Sequence, residues 1–214
     1  MSRKFLLKLI LIFNLIILML QKNNKKIAVF FPGLGYHNDK PLLYYSRKIA
    51  ISNDFQPINI NYNNIPKAIV GDENSIKSCF EILYLQAKEQ LDKINFNEYN
   101  NIIFISKSIG TIIAKEYSIK NNINAHHILY TPLGYTFKVM NKEKEKNINS
   151  IAFTGTKDQW VGLNVVEMGC KEFSIPLYKY DDANHSIETG NTLKDIEYLT
   201  NIMSVSEKFI KNLI

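Results

Sequence analysis

Residues 102–110 read Ile-Ile-Phe-Ile-Ser-Lys-Ser-Ile-Gly. An apolar run of strand composition passes into a small-x-Ser-x-Gly turn, and a helical pattern begins at once on the far side. A serine at the tip of such a strand-to-helix turn projects its hydroxyl outward. The helix behind it offers free backbone N–H groups to negative charge that develops nearby. Ser108 is therefore the candidate nucleophile, and the N–H of Ile109, directly after it, is a candidate oxyanion donor.

A serine hydroxyl attacks poorly unless a base takes its proton, so the rest of the chain is expected to supply a base and an acid. His185, in Asp-Asp-Ala-Asn-His-Ser, is the candidate base, because an imidazole titrates near neutrality and can both accept and return a proton. Asp158, in Phe-Thr-Gly-Thr-Lys-Asp, is the candidate orienter of that imidazole. The second oxyanion donor is expected from Leu34 or Gly35 in Phe-Pro-Gly-Leu-Gly-Tyr, where glycines let the backbone turn and approach a substrate closely. Each such donor is worth roughly 3–4 kcal/mol in characterised acyl-transfer sites.

Outward from this turn, apolar strand-like runs at 27–31, 56–61, 101–105, 127–130, 150–153 and 177–180 alternate with helical stretches at 40–52, 74–94, 109–121, 160–172 and 191–213. That alternation predicts a parallel sheet covered on both faces. Loops at the carboxyl ends of parallel strands form the functional edge of such a sheet. Gly33–Tyr36, Ser108, Asp158 and His185 each follow a strand, so four sequence-distant segments are expected on one rim. The alternating charges of 142–146 read as a solvated loop or short helix.

Other residue types are weighed and set aside. His126 and His127 open a strand and read as structural. Asp181 and Asp182 lie beside His185 in sequence, but a loop position of that kind reads as solvated charge. Lys107, inside the turn, is expected to be exposed, and a Ser-Lys mechanism has no supporting spacing. Trp160 reads as a buried aromatic opening a helix, with the lining of an acyl pocket as the other reading. Cys79 and Cys170 fall in separate helical stretches without metal-ligand spacing, which suggests neither a disulfide nor a zinc site. No cofactor or metal is implied.

The chain has 214 residues, 46% hydrophobic, enough for one sizeable core. Its formal charge of +6 is localised, since residues 1–26 hold six basic residues and no acid and leave 20 of each sign from Ile27 onward. An electroneutral body argues against a nucleic-acid partner. Residues 1–26 are read as a separate hydrophobic segment and 27–214 as the folded domain. The run 5–20 is apolar apart from Lys8 and Asn14. It is short for a spanning helix, which needs about 20 residues, and no small residues mark a cleavage point. Anchor, signal and extra helix all stand, and with the first of them membrane contact through 5–20, so compartment is left open between cytoplasmic and membrane-associated. Oligomeric state is not legible.

Taken together, Phe-Pro-Gly-Leu-Gly-Tyr, Ser-Lys-Ser-Ile-Gly, Gly-Thr-Lys-Asp-Gln-Trp-Val and Ala-Asn-His-Ser-Ile-Glu resemble the α/β-hydrolase superfamily over residues 27–214, in particular its small capless bacterial members of unassigned substrate. The resemblance implies the superfamily fold, reduced to about six mostly parallel strands with helices on both faces, and a Ser108, Asp158, His185 triad. The first glycine of the turn motif is here Ser106, still small. The implied activity is hydrolysis of a carboxylic ester or thioester through an acyl-enzyme. A peptidase or amidase, an acyltransferase and a non-catalytic binding module on the same scaffold are the alternatives. Brief inserts between strands leave little material for a lid, which implies an open site and a small or flexible acyl group.

Overall fold

A computed structural model describes residues 25–70, 72–145 and 148–213, so the apolar run 5–20 lies outside the described residues. Six strands form one sheet: β1 (Lys26–Phe31), β2 (Phe55–Asn59), β3 (Asn101–Lys107), β4 (His126–Tyr130), β5 (Ser150–Gly155) and β6 (Leu177–Tyr180). Every neighbouring pair is parallel, in the order β2-β1-β3-β4-β5-β6. This is the all-parallel sheet that the alternating sequence pattern predicts. Parallel neighbours cannot be joined by a tight turn, so helices carry the crossovers. The crossover helices are α1 (Pro41–Ser52), α2 (Glu73–Leu91), α3 (Ile109–Lys120), α4 (Gly134–Val139), α5 (Lys142–Glu145) and α6 (Leu163–Glu172), and α7 (Thr192–Lys211) follows the last strand.

The central strands are rich in apolar residues and buried at nearly every position because both of their faces are covered. Successive side chains point to opposite faces, and β1 shows the division. Ile27, Val29 and Phe31 join a core with Leu83 and Leu91 of α2 and Ile112 and Ile113 of α3. Ala28 and Phe30 face the other way, into a second core with Leu42 and Leu43 of α1 and Ile202 and Ile210 of α7. The outer strand β2 carries Pro57, which an edge position tolerates because one ladder side is unpaired.

Helix boundaries follow local chemistry. Pro41 opens α1 at a position where no backbone N–H is required. The Asp72 carboxylate accepts from the N–H groups of Asn74 and Ser75 and so starts α2. The helix expected from residue 160 begins instead at Leu163, because the Trp160 N–H is taken by the Asp158 side chain and Gly162 stands in extended conformation. Trp160 is thus a half-buried loop residue rather than the first residue of a helix. The short helix α4, after Leu133, was not expected from the sequence. Among the described residues no helix is long and apolar enough to cross a membrane.

One contact fixes the turn at the end of β3. A Cβ added to Gly110 would lie 2.4 Å from the Phe31 carbonyl oxygen and 2.7 Å from that of Pro32, so α3 begins directly against the end of β1. Backbone cannot step aside as a side chain can. Gly110→Ala is therefore expected to destabilise the fold by about 1–3 kcal/mol, measured by urea unfolding; a variant as stable as the parent would show that the β1–α3 junction yields. At the other small position of the motif, Ser106 is fully buried and its hydroxyl donates to the Ile128 carbonyl at 3.2 Å. A serine is accommodated there because its polar atom has a partner.

Candidate active site

The Ser108 backbone sits at φ 56°, ψ −124°, a region costly for a residue with a Cβ. Such strain persists only if the surroundings over-determine it, and here they do. The Ser108 N–H donates to the Tyr130 carbonyl at 2.9 Å, extending the sheet ladder into the turn. Its carbonyl accepts from the Thr111 N–H at 2.9 Å and from the Thr111 hydroxyl at 2.6 Å. The Thr111 hydroxyl also meets that of Thr136, on α4, at 2.6 Å.

Ser108 Oγ lies 2.7 Å from His185 Nε2, and His185 Nδ1 lies 2.6 Å from Asp158 Oδ2. A carboxylate can only accept, so Nδ1 carries the imidazole proton and Nε2 is free to accept from the serine hydroxyl. The structure brings Ser108, His185 and Asp158 into one hydrogen-bonded chain. The Asp158 side chain is 1% exposed and that of His185 14%. Burial holds the imidazole below the usual histidine range, and the nearby Lys107 ammonium adds to that, while Asp158 opposes both.

Two loops are tied together to hold this pair. After β5, the Thr156 N–H donates to the Tyr180 carbonyl and the Lys157 N–H to that of Ala183, which draws Asp158 beside the β6–α7 loop. In that loop the Asn184 side chain accepts from the N–H groups of Ser186 and Glu188, fixing the backbone around His185. Asp182 points elsewhere: it is exposed and pairs with Lys157 at 2.8 Å and Lys194 at 3.7 Å. His127 is buried edge-on to Phe104, in keeping with a structural role. Cys79 and Cys170 are free and buried.

The turn after β1 is closed by hydrogen bonds between Gly33 and Tyr36 at 3.0 and 3.3 Å, with Gly35 at φ 68°. A Cβ added to Gly33 would stand 3.0 Å from the Ser108 Cβ, so this turn packs against the serine. Leu34 and Gly35 occupy its tip, on the same rim as Ile109 at the head of α3.

Lys107 is not exposed, as its position in the turn suggested, but fully buried. It is the last residue of β3, in the middle of the sheet, where both faces are covered. Its ammonium donates to the Thr131 hydroxyl at 2.6 Å and lies 5.0 Å from the centre of the Tyr36 ring. Burial pushes its pKa down to about 7 against the pull of Asp158 and Glu188. Thr131, which follows β4, itself has φ 46°, and its N–H donates to the Phe153 carbonyl at 2.7 Å. Sequence reasoning put Lys107 on the surface and did not consider Thr131. The signal for Thr131 was its place at the carboxyl end of a central strand; a lysine inside an apolar run carries no comparable signal.

No protein-family model matches the sequence, and no curated protein is significantly similar to it. Solved structures are similar over most of the chain. An α/β serine hydrolase homologue from Coxiella burnetii is 13% identical with a TM-score of 0.57, covering 85% of this chain and 86% of its own. Est1E from Butyrivibrio proteoclasticus is 9% identical with a TM-score of 0.60 and 89% coverage of both chains. The esterase Pf2001 from Pyrococcus furiosus is 14% identical with a TM-score of 0.56, covering 90% of this chain and 84% of its own. At such identities the likeness speaks for architecture alone. In architecture the chain is an α/β-hydrolase-like protein.

Proposed function

We propose that the protein is a serine hydrolase that cleaves a carboxylic ester or thioester through an acyl-enzyme. The observation that carries this reading is the chain from Ser108 Oγ to His185 Nε2 at 2.7 Å and from His185 Nδ1 to Asp158 at 2.6 Å, on the rim of the sheet. Similarity to an esterase, and to Est1E, for which a structure with ferulic acid bound exists, favours an ester over an amide.

In this mechanism Ser108 Oγ attacks the substrate carbonyl carbon while His185 Nε2 takes the hydroxyl proton. Asp158 stabilises the imidazolium that forms. The carbonyl oxygen becomes an oxyanion, which the N–H of Ile109 and one from Leu34 or Gly35 would receive. His185 then gives its proton to the leaving alcohol or thiol, and the ester or thioester bond breaks. A water, deprotonated by the same imidazole, attacks the acyl-serine, releases the carboxylic acid and restores the Ser108 hydroxyl.

The reading is tested by fluorophosphonate treatment followed by mass spectrometry and assay with p-nitrophenyl esters. An adduct on Ser108 is expected, and an adduct elsewhere in active enzyme would remove the assignment. The pH dependence carries a sign. A protonated imidazole cannot accept the serine proton, so kcat/KM should fall as pH drops through the His185 pKa, which burial and Lys107 hold below the usual value of about 6.5. Lys107 is charged in that range, because its own pKa is about 7. Lys107→Met removes a positive neighbour and should move the acid limb to higher pH. A limb that stays in place or moves to lower pH would show that Lys107 does not act on His185.

A further inference from the structure

We propose that the cavity beside Trp160 is the acyl-binding subsite of the Ser108 centre and takes an uncharged, medium-chain aliphatic acyl group; this rests on the reading of Ser108 as the nucleophile. The cavity has a volume of about 510 Å³ and lies between α2, α4 and the loop leading into α6. That is within the range of about 300–1,000 Å³ typical of ligand sites, and far more than an acetyl group fills.

Two of its walls, Trp160 and Ile112, adjoin the candidate centre. Trp160 packs its ring 5.9 Å from the His185 imidazole, at 41° to it. Its backbone N–H donates to Asp158 Oδ1 at 2.8 Å, while Asp158 Oδ2 holds His185. One carboxylate thus fixes both the base and the wall next to it. Ile112 also lines the cavity, and it stands four residues after Ser108, one helical turn along the start of α3. A chain attached to Ser108 Oγ would have this space next to it.

The remaining lining sets the chemistry of the occupant. Ile76, Leu133, Val161 and Val165 supply aliphatic wall beside the rings of Trp160 and Tyr135, and the Trp160 ring is itself engaged with His185. Phe80 belongs to it too, but its ring is already engaged with Tyr84 at 5.5 Å and Tyr135 at 6.0 Å. The walls therefore favour a flexible aliphatic chain over a stacked aromatic ring. Tyr135 and Val165 are 38% and 42% exposed, apolar surface that a bound chain would cover. Asn74, Lys77 and Lys138 supply its polar part and lie among exposed residues. A second cavity of similar size, about 540 Å³, opens beside Asn100, just before β3, and Asn121, just after α3. It lies at the opposite ends of the strands from Ser108, so it cannot serve an acyl group carried on that serine.

The test is the ratio of kcat/KM for p-nitrophenyl octanoate to that for the acetate, in the parent and in two variants on separate elements. Val165→Trp fills the cavity from α6, and Ile76→Phe fills it from α2. The parent is expected to prefer the octanoate at least tenfold, and each filling variant to lower the ratio by tenfold or more. A parent that prefers the acetate would overturn the proposal, as would variants whose ratio stays at the parent's value. Fluorophosphonate labelling separates this failure from that of the underlying reading. If Ser108 is labelled and the ratio does not respond, the cavity is not the subsite; if Ser108 is not labelled in parent protein, the nucleophile reading falls and takes the subsite with it.

Discussion

Ser108→Ala is expected to abolish fluorophosphonate labelling and to lower ester turnover by on the order of 10⁴-fold or more. The two hydroxyls nearest to it in sequence cannot take its place. The Ser106 side chain is buried and donates to the Ile128 carbonyl. The Thr111 hydroxyl is committed to the Ser108 carbonyl and to Thr136. Stability should hardly change, because alanine keeps the Cβ that makes φ 56° costly. Ser108→Gly should instead be about 1 kcal/mol more stable than Ser108→Ala in urea unfolding, because glycine relieves that strain. Turnover by Ser108→Ala at the parent's level would place the nucleophile elsewhere.

Asp158→Asn is expected to lower kcat by roughly 10³–10⁴-fold with little loss of folding stability. An amide can keep its oxygen toward the Trp160 N–H and turn its nitrogen toward His185 Nδ1, so the hydrogen-bond count survives. Its N–H₂, however, forces the imidazole to accept at Nδ1 and hence to carry its proton on Nε2, the atom that must receive the serine proton. The control is Asp182→Asn. Asp182 is exposed and occupied by Lys157 and Lys194, so turnover should stay within about twofold. Parallel kcat measurements decide between the two acids, and a larger loss at Asp182 would move the orienting role there.

The sheet was legible because each strand is a short apolar run bounded by turn residues, and six such runs separated by helical stretches leave one economical architecture. The rim segments were legible for the same reason: Ser108, Asp158 and His185 each follow a run directly. What could not be read were interactions that depend on three-dimensional neighbours. Nothing in Ser-Lys-Ser says that the Lys107 ammonium will find the Thr131 hydroxyl inside the molecule, and a lysine in a turn is ordinarily solvated. Lys115 is a second case: it is buried in α3, where it reaches Glu145 and Ser150. Trp160 was misplaced because the apolar spacing of 160–172 fits a helix, whereas the side chain of Asp158 captures the local N–H and delays the first turn. The acyl-sized cavity was unreadable because its walls come from four separate segments.

The strand order also governs when chemistry can first appear as the chain folds. Strand β1 pairs with β3 across an intervening β2 and α2, so the centre of the sheet closes only through contacts distant in sequence, which fold slowly. Ser108 belongs to that centre, but His185 arrives on the loop between β6 and α7, the last two elements of the described chain. An intermediate with β1, β3 and β4 already paired would hold the serine in its turn while lacking the imidazole that makes it reactive. In refolding experiments, covalent capture of Ser108 would therefore mark arrival of the carboxyl-terminal third of the chain, later than any spectroscopic signal that follows the sheet alone.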